Sequence, residues 1–168
     1  LLCAFVVSTL SAQQPIGTWQ VHFSYNAVNQ IAQTPQRVFA LSEGSLYSVD
    51  KYDQTIEFYS KLSGLNGTNI VLISYDDSTE TLLIAYKNGL IDLMRSGGVE
   101  CVSDLYQKQL NSTKNINAAF FYNKRAYLAT DFGILVLNLL RNEVESTYYI
   151  GDEASDVKQI GRASCRER

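Results

Sequence analysis

The sequence predicts an all-β chain: a partial β-propeller, three four-stranded blades belonging to a larger ring of about seven. Three observations predict it. Residues 37–49 (RVFALSEGSLYSV), 81–93 (TLLIAYKNGLIDL) and 125–137 (RAYLATDFGILVL) align without a gap, so the chain repeats at a constant step of 44 residues. A strand-built period of about 40–50 residues is what propeller blades give. The runs Leu82-Leu83-Ile84-Ala85 and Ile134-Leu135-Val136-Leu137 are apolar without strict alternation. Such runs mark strands buried on both faces, as between neighbouring blades, whereas a two-layer sandwich leaves one face wet. Turn residues punctuate every repeat, and Asn88-Gly89 supplies the positive φ angles of a hairpin.

The first repeat gives strands at 30–33, 38–41, 46–49 and 56–59. The turn-rich stretch 62–70 (LSGLNGTNI) follows, with Gly64-Leu65 leading to Asn69-Ile70, and carries the chain to the next blade. The second repeat gives a strand at 69–75, a polar turn at 76–80 (DDSTE), a strand at 81–86 and a turn at Lys87-Asn88-Gly89. A strand at 90–94, a turn at Ser96-Gly97-Gly98 and a short strand at 99–102 complete it. Residues 104–111 (DLYQKQLN) carry a brief apolar spacing, Leu105, Tyr106 and Leu110, and are expected to form a loop or a single helical turn. The third repeat gives 116–121, a turn at Asn123-Lys124, 125–130, a turn at Asp131-Phe132-Gly133, then 134–139 and 144–150. Asn115-Ile116 and Asp156-Val157 stand where Asn69-Ile70 stands, so a fourth unit is expected to start at the latter. Ala40, Ala85 and Ala129 are expected at matched positions, as small residues that let blades approach closely.

The two ends read differently. Residues 1–10 (LLCAFVVSTL) are apolar, and Ser11, Ala12 and two glutamines follow. A short apolar core, a small residue and a polar start form the back half of a secretory signal, cleaved after Ala12. Residues 160–168 (IGRASCRER) are what a common short-read sequencing adapter encodes, and they abandon the preceding strand pattern. The expected division is therefore 1–12 truncated signal, 13–159 incomplete propeller domain and 160–168 adapter artefact. Setting the tail aside removes three of the 14 basic and one of the 17 acidic side chains, so the net charge moves from −3 to −5. A mildly acidic chain with no basic stripe is a poor partner for nucleic acid.

Catalytic chemistry finds no support in the residues. His22 is the single histidine, and no partner pattern surrounds it. No nucleophile-elbow, zincin or Walker segment occurs. Cys3 lies in the signal and Cys165 in the tail, which leaves Cys101, read as a small buried hydrophobe. No catalytic, cofactor or metal residue is expected, and the ligand-binding residues are not legible. The acidic turn 76–80 lacks the spacing of a calcium loop and reads as a solvated hairpin turn. Asp77-Ser78-Thr79 matches a bacterial O-glycosylation pattern. Asn66-Gly67-Thr68 and Asn111-Ser112-Thr113 match the N-glycosylation acceptor and are read as coincidence. Eleven tyrosines are many for 168 residues; strand packing explains most of them, and some can face a partner or a sugar.

Two resemblances enter on these residues. Gly64-Leu65, Asn69-Ile70, Tyr75-Asp76-Asp77 and the run 82–90 (LLIAYKNGL) resemble the repeat of propeller sensors in two-component regulators. The tryptophan usual in its second strand is absent, and Leu83 and Tyr127 stand there. The tighter resemblance is to the N-terminal propeller of the PorZ family, of the type IX secretion system of Bacteroidota. It rests on residues 17–26 (GTWQVHFSYN), 83–93 (LIAYKNGLIDL), 126–137 (AYLATDFGILVL) and 147–151 (TYYIG). This resemblance implies a noncatalytic, exported protein of the periplasm or the outer-membrane cell surface. Its implied partners are those of an outer-membrane attachment complex, a sortase-like protease and associated components, and lipopolysaccharide. The alternative is the ligand-sensing periplasmic propeller of a hybrid two-component regulator.

Overall fold

The computed structural model of the protein describes residues 27–110, 112–150 and 156–161. Twelve strands run in chain order through the described residues. They are β1 (Val28–Gln33), β2 (Arg37–Ser42), β3 (Ser45–Asp50), β4 (Ile56–Tyr59), β5 (Ile70–Asp76), β6 (Thr81–Tyr86), β7 (Ile91–Arg95), β8 (Gly98–Val102), β9 (Ile116–Tyr122), β10 (Arg125–Thr130), β11 (Gly133–Asn138) and β12 (Glu143–Tyr148). They form three antiparallel four-stranded meanders, β1–β4, β5–β8 and β9–β12. Arg37, Thr81 and Arg125 each open the second strand of a sheet, as the 44-residue step requires. The first strands, β1, β5 and β9, bring consecutive sheets together, and β4, β8 and β12 are the outer edges. The three sheets are blades of a partial propeller.

Blade contacts are apolar because the middle strands bury both faces. Every residue of β6 is buried. One face carries Leu82 and Ile84 into the layer shared with Phe39, Leu41 and Leu46 of the first blade. The other face carries Leu83 and Ala85 against Ala126, Leu128, Leu135 and Leu137 of the third. Each such Leu or Ile, removed from water, contributes about 1.5–3 kcal/mol. The sheets therefore hold one another together.

One register differs from the gapless alignment. In the first and third blades the second hairpin closes over two residues, with Ser42 opposite Ser45 and Thr130 opposite Gly133. In the second blade Ala85 lies opposite Ile91, and Tyr86 N and O bond Leu90 O and Gly89 N at 3.0 Å each. Lys87, Asn88 and Gly89 thus make a three-residue loop in which Gly89, at φ +86°, takes the left-handed position, while Asn88 does not. The third strand of this blade is displaced by one residue, and β7 begins at Ile91 where the sequence placed Leu90. The expected alanine match also shifts. Ala85 and Ala129 are equivalent and fully buried, but Leu41, not Ala40, occupies their place in the first blade.

The crossovers after the first and third blades share one plan. The chain leaves the outer edge of the blade and lands on the second hairpin of that same blade. Ile70 N donates to Gly44 O at 3.2 Å, and Val157 N donates to Thr130 O at 2.9 Å. Asn117 Nδ2 also holds Val157 O at 2.9 Å. The first crossover contains a 3-10 turn, Lys61–Ser63, capped by Ser60 and ended by Gly64 in the left-handed region. The second contains a single helical turn, α1 (Asp104–Gln107), which buries Leu105 in the layer between the second and third blades. Asp104 Oδ2 accepts from Val144 N at 3.0 Å, so this turn covers part of the exposed edge of β12.

Arg95 stitches the second blade to the third. Its Nε donates to Thr81 Oγ1 at 2.8 Å, and its Nη2 donates to Leu139 O at 2.5 Å and Asn142 Oδ1 at 2.9 Å. Arg95→Met keeps the stem and removes all three bonds. It is expected to lower unfolding stability by about 1.5–3 kcal/mol in urea titration. A change below about 0.5 kcal/mol would show that the seam closes without it.

Candidate functional site

The seam between the first and second blades is not stitched in this way. A groove of about 510 Å³ opens there, lined by Arg37, Phe39, Glu57 and Tyr59 on one wall and Tyr75, Glu80, Leu82 and Met94 on the other. The repeat accounts for the difference. Asp50, opposite Arg37 in the first blade, holds the place that Arg95 holds in the second. Its short side chain stays on its own sheet, where Asp50 Oδ1 accepts from Tyr52 N at 2.8 Å and a carboxylate oxygen lies 3.7 Å from Arg37 Nε.

Arg37 also stays on its own blade. Its Nη1 bonds Glu57, Tyr59 Oη at 2.9 Å and Ser48 Oγ at 3.2 Å. The Glu57 bond raises the Arg37 pKa, and Arg37 in turn holds the Glu57 carboxyl below its ordinary value. Burial raises the Tyr59 phenol. Arg125 and Glu145, also 20 residues apart, make the same second-to-fourth-strand pair in the third blade at 2.7 and 2.9 Å. In the second blade Thr81 stands in the place of Arg37, and Glu100, opposite Leu93 as Glu57 is opposite Ser48, stands in the place of Glu57.

On the opposite wall Tyr75 is half-buried, and burial together with Glu80, Asp77 and Asp76 raises its phenol. Among the described residues the Glu80 carboxylate and the Tyr75 hydroxyl have no hydrogen-bond partner.

A second polar centre is internal. Asp92, fully buried, accepts from Tyr86 Oη at 2.6 Å, Asn66 N at 2.8 Å and Asn66 Nδ2 at 3.0 Å. Burial drives the Tyr86 phenol far above its ordinary pKa, with Asp92 adding to the shift, so it remains a donor. Gly67 lies flat on the Tyr86 ring; a Cβ there would come within 2.5 Å of it. Asp92 therefore anchors the first crossover to the face of the second blade, a structural clamp that no sequence signal except a lone acid in an apolar strand could have revealed.

Cys101 corrects an expectation. It is exposed, not a buried hydrophobe, because β8 is an outer strand. Its sulfur nevertheless turns toward Asp92, and burial of the thiol plus that carboxylate push its pKa up to about 11. Iodoacetamide at pH 8 is expected to alkylate Cys101 about a hundredfold more slowly than free cysteine, as followed by mass spectrometry, because the thiolate is that much scarcer. Modification at the free-cysteine rate would contradict the contact with Asp92.

The remaining candidates separate. His22, Tyr25, Asn111, residues 1–12 and the opening segment 17–26 lie outside the described residues. The turn after β5 is a hydrogen-bonded cap: Asp76 Oδ2 accepts from Ser78 Oγ at 2.7 Å, Thr79 Oγ1 at 2.7 Å and Thr79 N at 3.1 Å, using the oxygens a cation would need. Asn66 is exposed, with its side chain held by Asp92. Tyr59 and Tyr86 are buried, whereas Tyr52, Tyr122, Tyr148 and Tyr149 are exposed. Among the described residues no three His, Cys, Asp or Glu side chains gather as a metal site, and no helix is long and apolar enough to cross a membrane.

Comparison with known proteins is consistent with this architecture. The family profile of the PorZ N-terminal β-propeller domain, from the type IX secretion system, matches residues 38–166. PorZ of Porphyromonas gingivalis, described as an essential bacterial surface component of that system, superposes with a TM-score of 0.71 at 30% identity. The match covers 77% of this chain and 17% of that one, so the chain spans about a sixth of that protein. The extracellular domain of BT4673 from B. thetaiotaomicron, named as a hybrid two-component system, gives 0.60 at 11% identity over 82% of this chain and 18% of that one. AztD of Citrobacter koseri gives 0.55 at 16% identity over 76% and 35%. At such identities these last two share the fold alone. No curated protein sequence matches significantly. The profile spans most of the chain and the three repeated blades superpose on that propeller, so the chain belongs to the PorZ N-terminal β-propeller family.

Proposed function

We propose that this chain is part of a noncatalytic, exported propeller that serves as an interaction scaffold of the type IX secretion and cell-surface attachment machinery. The observation that carries this reading is the 30% identity to a surface component of that system over three blades. The side chains fit a scaffold: most polar groups are spent on seams, caps and crossovers, and the open groove is walled by tyrosines, apolar residues, carboxylates and two arginines. Its partners would be protein components of an outer-membrane attachment complex, including a sortase-like protease, with lipopolysaccharide as a further ligand. The division into a signal at 1–12, a propeller at 13–159 and foreign residues at 160–168 belongs to this proposal, and resequencing the genomic locus tests its last part.

Deleting the gene tests the function. Secreted cargo should lose its attachment to the cell surface, and restoring the full-length gene should recover it. Normal attachment, together with a ligand-dependent transcriptional response that disappears on deletion, would favour the sensor reading instead.

A further inference from the structure

We propose that the groove between the first and second blades docks a basic side chain, arginine or lysine, presented by a protein partner. The inference extends the scaffold reading and rests on it for the existence of a partner, while the chemistry of the groove stands by itself.

The neighbouring seam provides the template. There the chain supplies its own guanidinium, Arg95, which crosses from one blade to the carbonyl of Leu139 and the amide of Asn142. At the corresponding place in the first blade stands Asp50, which does not cross, and about 510 Å³ is left open. With no cation of its own crossing there, this seam is left able to accept one from outside.

Charge points the same way. Arg37 is matched by Glu57 and Asp50. Arg95 also lines the groove, but its guanidinium is held by Thr81, Leu139 and Asn142 and lies 3.9 Å from Glu100. Of the charged side chains that line the groove, the one left without a partner is negative, Glu80 beside Tyr75. Two tyrosines, Tyr59 and Tyr75, with Phe39 and Met94, supply aromatic and apolar surface around it. Aromatic rings with a carboxylate at the rim favour a guanidinium or ammonium, which gains attraction to the ring faces and buries its stem on the apolar wall. An anion would meet Glu80, and a purely apolar group would leave the Glu80 carboxylate and the Tyr75 hydroxyl facing nothing.

The test uses the full-length protein and two probes of nearly equal shape, N-acetyl-arginine amide and N-acetyl-citrulline amide, titrated by calorimetry or ligand-observed NMR. The arginine probe should saturate with a Kd on the order of 1 mM, and citrulline should bind at least about tenfold more weakly. Glu80→Gln, at an exposed turn, should weaken the arginine probe about tenfold with an unchanged melting temperature, whereas Glu143→Gln on the far blade should not. Equal affinity for the two probes, arginine binding unaffected by E80Q, or displacement of arginine by a neutral trisaccharide would overturn the proposal. The probe comparison on the unmodified protein decides the matter even if a variant folds poorly. Cargo attachment is a separate readout, so failure here leaves the scaffold reading standing, and failure there leaves the groove chemistry standing.

Discussion

Asp92→Ala is expected to lower the unfolding free energy of the domain by about 3–5 kcal/mol, a large share of the stability of any single domain. The reason is the number of donors that one carboxylate satisfies. Tyr86 Oη, Asn66 N and Asn66 Nδ2 all end on it, and the carboxylate itself is fully buried. Removing the acceptor leaves the Tyr86 hydroxyl without its partner against the floor of the seam and frees the first crossover from the second blade. Asp92→Asn should cost less, about 1–3 kcal/mol, because one oxygen remains while an amide N–H now faces a donor. Urea unfolding of the full-length protein, read by a probe in this domain, measures both. A second readout separates the clamp from a general loss of packing. With the negative neighbour gone, the Asn variant should lower the Cys101 pKa and speed its alkylation. An Ala variant as stable as the parent, or an Asn variant with unchanged thiol reactivity, would contradict the clamp.

Gly133→Ala should be comparably damaging, above about 3 kcal/mol, for a different reason. Gly133 opens β11 at φ +137°, a conformation that L side chains rarely adopt. A Cβ there would lie 2.1 Å from the backbone oxygen of Tyr148. That oxygen belongs to the adjoining strand and cannot swing aside as a side chain can, so the β11–β12 pairing that sets Ile134 opposite Tyr148 must open. Gly97→Ala is the matched control. No atom lies within 4 Å of its added Cβ and its φ is not positive, so a change within about 0.5 kcal/mol is expected. Thermal melts of the two variants should differ sharply; similar melts would mean that β12 yields at little cost.

The blades were legible because their signal is repeated. A 44-residue step, an apolar middle strand and hairpin residues agree with one another three times, and the second strands begin at residues 37, 81 and 125. The one-residue displacement of β7 was not legible. Leu90 and Ile91 are both apolar, so the pattern fits either register, and the loop Lys87-Asn88-Gly89 alone decides it. Cys101 was misread because residue type speaks of burial on average, whereas its strand lies at an outer edge. The groove was invisible for a geometric reason. Its walls come from two sheets, and residues such as Tyr59 and Tyr75, or Arg37 and Glu80, come to line one groove only after the blades dock. Asp92 stood in plain view as an acid between Ile91 and Leu93, but its partners lie six and 26 residues away, at spacings no local pattern encodes.

The landing of the first crossover on the hairpin just completed gives the fold a direction. Ile70 meets Gly44, so β5 starts on a surface that the first sheet has already finished, and Val157 meets Thr130 of the third sheet in the same way. A chain that folds from its amino-terminal side can therefore assemble stepwise, a finished sheet supporting its successor. The long-range search that slows most all-β proteins is replaced by a series of short ones.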